Sequence, residues 1–103
     1  MIRHTENIDR LFKALLTCKN EEEFYLLFDD LCTVPEVLDM AQRLQTAEML
    51  DEGKNYASIT ELTGMSTATI GRVSRCLKYG EGGYRMVLDR LKETDQAGQP
   101  KTK

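Results

Sequence analysis

The residues best suited to chemistry lie in one run, Tyr56-Ala-Ser-Ile-Thr-Glu-Leu-Thr-Gly-Met-Ser-Thr-Ala-Thr-Ile-Gly-Arg-Val-Ser-Arg75. A helix-turn-helix needs an apolar residue inside its first helix and a glycine where the backbone turns with φ > 0. It then needs an apolar residue after that turn and two more inside the second helix. Ile59, Gly64, Met65, Ile70 and Val73 fill these places, and Thr60 stands where the helices approach each other. With Ile70 and Val73 turned inward, helical geometry turns Ser66, Thr67, Ala68, Gly71, Arg72 and Arg75 outward. The chemistry of such a face is recognition: hydroxyls and guanidinium groups that meet base edges in a DNA groove, with Lys54 and Lys78 where phosphates run. Gly71 costs a helix ~1 kcal/mol relative to alanine and leaves room for close approach. The same residues also suit an ordinary solvated helix face, so the competing reading is a helical protein-interaction module without DNA contact.

Other chemistries find little support. The chain has one histidine, His4, and no nucleophile with a base at motif spacing. Gly80-Glu-Gly-Gly83 lacks the strand that a phosphate-binding loop requires, so it reads as a hinge. No enzyme, metal site or cofactor is expected. Cys18, Cys32 and Cys76 match no zinc or redox spacing and read as reduced thiols that fill small apolar sites on helices.

The elements that position the reading face follow from apolar spacing. Ile8, Leu11, Phe12, Leu15 and Leu16 predict a helix over 5–18. Asn20 with Glu23 caps a second over 21–31, whose stripe is Phe24, Leu27, Phe28 and Leu31. Tyr25 and Leu26 give that helix a second apolar face, so one of its partners is expected to be another subunit. Thr33 and Glu36 form a capping box for a helix over 34–51 that ends before Gly53. Short helices over 56–63 and 67–79 follow, then a last one over 83–92, and the polar segment 93–103 is expected to be disordered. Met40, Met49, Met65 and Met86 are expected to fill core space. No run alternates as a strand does, so the fold is expected to be all-α: a single helical domain over 1–92, with 1–52 serving dimerisation and 55–79 forming the helix-turn-helix.

At 103 residues the chain suffices for one core. No apolar run reaches the length of a membrane span and the first residues lack the apolar centre of a secretory signal, so a cytoplasmic protein is expected, with no membrane partner. The net charge of −3 is unevenly placed. Residues 1–52 carry five basic against twelve acidic side chains and residues 53–103 nine against five, a split of −7 and +4. The second half is the one that attracts a polyanion.

The run Ala68-Thr-Ile-Gly-Arg-Val-Ser-Arg-Cys-Leu-Lys78, preceded by Ile59-Thr-Glu-Leu-Thr-Gly64, resembles the reader head of the Trp repressor superfamily, and the chain to about residue 92 fits its six-helix order. Leu31-Cys-Thr33, Gln42-Arg-Leu44, Ser74-Arg-Cys-Leu77, Tyr79-Gly80 and Gly82-Gly-Tyr84 are similar to the small Trp-repressor-like proteins of Gram-positive bacteria. The resemblance implies an intertwined homodimer that binds double-stranded DNA as a transcriptional regulator, expected to be a repressor. It also implies an effector site in which Arg43 and Arg72 flank an indole ring, with Thr33 and Thr69 near the ligand. Two departures bear on that site. Val73 stands where the tryptophan-responsive members have a glycine beside the ring, and Cys76 where a serine helps hold the amino group, so tryptophan is not the expected effector. For Arg43, an ion pair on the helix surface with Asp39 or with an acidic neighbour in the other subunit stands as an equal alternative.

Overall fold

A computed structural model of the protein describes residues 1–98. Among these residues there are six helices and no strand: α1 (Glu6–Leu16), α2 (Glu21–Leu31), α3 (Val34–Asp51), α4 (Tyr56–Thr63), α5 (Thr67–Tyr79) and α6 (Gly83–Gly98). No helix is long and apolar enough to cross a membrane.

The helix starts are set by local chemistry. The side chain of Thr5 accepts from the Ile8 amide at 3.1 Å and that of Asn20 from the Glu23 amide at 3.0 Å, satisfying donors that have no partner inside the helix. Glu23 in turn accepts from the Lys19 amide at 2.7 Å. At α3 the box is reciprocal: the Glu36 amide donates to Thr33 Oγ1 at 3.3 Å and the Thr33 amide to Glu36 Oε1 at 2.8 Å. These bonds from Thr33 stabilise the ionised form and hold the Glu36 carboxyl below the usual carboxylate range. At the other end of α3, Gly53 takes φ 86°, its amide donating to the Leu50 carbonyl and that of Lys54 to the Met49 carbonyl, both at 3.0 Å. These are the two bonds of a Schellman motif, and they explain why α3 stops where it does.

Two compact units result, one spanning Met1–Met40 and the other beginning at Ala41, with α3 contributing to both. In the first unit α1 and α2 contain no buried residue. Phe24 and Phe28 meet edge to face with ring centroids 6.3 Å apart, yet Tyr25 is 73% exposed and Leu26 69%. The second unit has a core in two parts. Ala47, Val73 and Leu88 bring α3, α5 and α6 together, while Met49, Ile59 and Ile70 bring α3, α4 and α5 together, and Leu50 packs against both. Within one chain α1 and α2 bury too little to have a core of their own.

Three local expectations change. The last helix runs on to Gly98, so 93–98 is helical, and only 99–103 of the expected tail lies outside the described residues. The extension begins beside Lys92, whose Nζ meets Asp51 Oδ2 at 2.7 Å. Cys18 follows α1 and Cys32 ends α2, both half-buried, while Cys76 is exposed on α5, so none is a filler inside a helix core. Met49 is buried and Met65 half-buried as expected, but Met40 and Met86 are exposed, since an apolar position on a helix is buried only where another element packs over it.

Asp51, at the end of α3, is the electrostatic tie of the second unit. Arg85 grips it with two bonds, at 2.7 and 2.9 Å, and also reaches Asp89. The bonds from Arg85 first, and then from Lys92, hold the Asp51 carboxyl well below the usual carboxylate range. Because the folded pKa is depressed, the stabilisation is complete above about pH 4 and is lost as pH falls through the folded value. Asp51→Ala should lower stability by about 1–2 kcal/mol at pH 7, the value of a charge-assisted pair whose cations are partly in water. Thermal unfolding of the variant should converge on that of the parent as pH is lowered toward 2; a constant gap would contradict this account.

Candidate nucleic-acid interface

The helix-turn-helix is built as its spacing predicts. The Asn55 side chain accepts from the Ser58 amide at 2.8 Å to start α4. Gly64 ends α4 with φ 75°, its amide donating to the Thr60 carbonyl at 2.8 Å. A side chain is disfavoured at that φ, which is why the turn uses glycine. Ser66 then caps α5, accepting from the Thr69 amide at 3.2 Å, and its hydroxyl lies 3.0 Å from that of Thr69.

Inside the unit, Ile59 and Ile70 are fully buried and Val73 nearly so. Their burial sets the rotation of α5, leaving Ser66, Thr67, Ala68, Arg72 and Arg75 exposed and Gly71 half-buried on the opposite side. A Cβ built on Gly71 would meet nothing within 4 Å, so the chain's own packing does not require glycine there. Lys54, exposed, lies in the α3–α4 connection, and Lys78 lies exposed in the last turn of α5, where a cation complements the helix dipole. All eight residues expected to face DNA therefore belong to the second unit, and seven are exposed.

The four residues of the implied effector site are divided between the two units. Thr33 belongs to the first unit, whereas Arg43, Thr69 and Arg72 belong to the second. Both threonines are occupied with helix caps, and Arg43 is exposed and already has an interaction partner, as has Asp39. Val73 is a core residue beside Ala47 and Leu88, and Cys76 is exposed.

The family model described as Trp repressor protein matches residues 6–92. The chain belongs to the Trp repressor family. It is 51% identical over 96 residues to the uncharacterized protein YerC of Bacillus subtilis (strain 168), an alignment covering 93% of this chain and 92% of that one. Among solved structures it is similar to a candidate Trp repressor from Staphylococcus aureus, at TM-score 0.82 and 49% identity, covering 86% of this chain and 89% of the other. A TrpR-like protein from Eubacterium eligens ATCC 27750 gives TM-score 0.82 at 46% identity, covering 85% and 91%. These likenesses agree with the all-α, six-helix architecture read from the sequence.

Three polar residues that bond at the turn of this Trp-repressor-like head, Gln42, Thr46 and Thr63, are not marked by the helix-turn-helix spacing. Gln42 Nε2 donates to the Thr63 carbonyl at 3.3 Å, and Thr46 Oγ1, in a residue with no exposed surface, donates to Met65 Sδ at 2.9 Å. Thr63 Oγ1 accepts from the Met65 amide at 3.1 Å while donating to the Ile59 carbonyl at 2.7 Å. The available signal was the four-residue spacing of Gln42 and Thr46, which places two hydrogen-bonding side chains on one face of α3. Thr60 Oγ1, by contrast, is buried without a hydrogen-bond partner among the described residues, the consequence of a hydroxyl where the two helices meet.

Val73→Gly should cost roughly 2–4 kcal/mol of stability, combining a cavity between Ala47 and Leu88 with a glycine inside α5. Denaturant unfolding measures this, and a cost under about 0.5 kcal/mol would mean that Val73 is not packed as described.

Proposed function

We propose that this member of the Trp repressor family is a sequence-specific DNA-binding transcriptional regulator, acting as a homodimer and most simply as a repressor. The observation that carries the reading is α5 itself. Its apolar side is locked into the core by Ile70 and Val73, and its free side presents small polar residues at the N-terminal tip with Arg72 and Arg75 behind. Such a helix lies in the major groove with its first residues at the base edges. Arg72 and Arg75 are assigned to guanine edges or adjacent phosphates, Lys54 and Lys78 to phosphates, and Gly71 to the closest approach of the helix to DNA.

The dimer rests on the first unit. An α1–α2 pair without a buried residue, with Leu16 84% exposed and Phe24, Tyr25 and Leu26 also open, needs a second copy to remove that surface from water. Two copies place two recognition helices on DNA, so the site is a near-palindrome with half-site centres about 34–36 Å apart. Tryptophan is not the effector in this reading. The Val73 side chain occupies core volume where the responsive members have only a glycine, and Arg43, Thr69, Thr33 and Arg72 remain a candidate set for a different small molecule.

Selection of bound fragments from genomic DNA by the purified protein tests the function directly. Arg72→Ala or Arg75→Ala should weaken the selected site by ~1–3 kcal/mol and relax preference at one position if the arginine reads a base. Gly71→Ala should separate the two roles of that position, raising thermal stability through helix propensity by about 1 kcal/mol while lowering DNA affinity. Affinity should fall steeply with added salt, whereas a helix-binding module held by apolar contacts would show little salt dependence. A double arginine variant with parental affinity, or the absence of any selected fragment, would reject the assignment. Sedimentation should show a dimer at micromolar concentration, and a tryptophan titration should give no saturable heat.

A further inference from the structure

The α4–α5 pair is held against α3 by two kinds of contact. The apolar ones, Ile59 and Ile70 against Met49, are strong but have no preferred direction, so they fix separation better than angle. The polar ones are directional. They come from Gln42 and Thr46, four residues and so about 6 Å apart along α3, and both end on the turn between α4 and α5. Gln42 satisfies the carbonyl of Thr63, one of the last carbonyls of α4, which have no partner inside that helix. Thr46 is fully buried, so losing its bond to Met65 Sδ would strand a hydroxyl away from water. The backbone of the turn is fastened to the same points, because the Met65 amide donates to Thr63 Oγ1.

We infer that Gln42 and Thr46 are positioning residues that set the angle of the recognition helix α5 relative to α3 by clamping the turn at Thr63 and Met65. Two attachment points in line along α3 resist rotation of the α4–α5 pair, which neither could do alone. The clamp uses only the chain's own side chains, so α5 is oriented before any small molecule binds. Its effect on DNA affinity rests on the DNA-binding reading above. Its effect on the turn does not.

The test uses the full chain with a fragment it has selected, and four variants: Gln42→Ala, Thr46→Val, Thr46→Ser and the Gln42→Ala/Thr46→Val pair. Thr46→Val keeps the shape and removes the donor, and Thr46→Ser keeps the donor. Gln42→Ala and Thr46→Val should each weaken binding by about 3- to 30-fold, with the slope of affinity against salt unchanged because neither residue touches a phosphate. Thr46→Ser should retain most of the affinity. Hydrogen exchange of the Gly64 and Met65 amides should quicken in Gln42→Ala, in Thr46→Val and most in the pair, while exchange in the middle of α5 stays as in the parent. Since Gln42 is exposed, its variant keeps the test informative even if Thr46→Val folds poorly. Parental affinity and exchange in both single variants would overturn the inference. So would a changed salt slope, or a loss in Thr46→Ser equal to that in Thr46→Val. If the parent binds no fragment, the DNA-binding reading fails, and the exchange rates alone then decide the clamp.

Discussion

Everything in the second unit depends on one strip of α3, the turn and a half in which Thr46, Ala47 and Met49 are buried and Leu50 half-buried. Both parts of the core are completed by this strip. One faces α5 and α6, the other α4 and α5, and Leu50 belongs to each. The small size of Ala47 matters here, because it lets Val73 and Leu88 close over the helix with almost no exposed surface. A chain this short has few apolar side chains to spend on each helix pair, so a shared wall is the economical arrangement.

The same strip explains how the polar face of α5 is kept rigid. α5 is amphipathic in the strict sense: Ile70 and Val73 bind it to α3, and the opposite side is left to solvent. Removing either apolar anchor would loosen the angle at which Arg72 and Arg75 are offered. The ion network at the end of α3 serves a neighbouring purpose, since Asp51 joined to Arg85 and Lys92 fastens α6 where it covers Leu88 and Val73. These cations are used within the fold, whereas Arg72, Arg75 and Lys78 of α5 are exposed. The positive charge of the second half thus divides between internal pairing and the exposed face of α5.

In the first unit the physical situation is reversed. Its helices are well capped, by Thr5 and Asn20, yet capping contributes only a fraction of what burial does, and no side chain of α1 or α2 is buried. Helices of 11 residues are marginal in water by themselves. In the proposed dimer, the stability of α1 and α2 would be a property of the assembly and would vary with protein concentration.

The sequence by itself determined the helices and most of their limits. The capping pairs at Asn20 and Thr33, the left-handed stops at Gly53 and Gly64, and the stripes around Ile59 and Ile70 are local signals carried by neighbours within four or five residues, which is the range over which a helix makes its bonds. The outward face of α5 was legible for the same reason, once Ile70 and Val73 were recognised as its buried side. Tertiary structure alone decided what depends on groups distant in the chain. The helical course of 93–98, the exposure of Met40 and Met86, the attachment of Asp51 to Arg85 and of Thr46 to Met65, and the division at Met40 cannot be read from periodicity. Periodicity states which side of a helix is apolar, whereas burial and pairing depend on whether another element arrives there, and that is settled only when the whole chain competes for the same apolar surface.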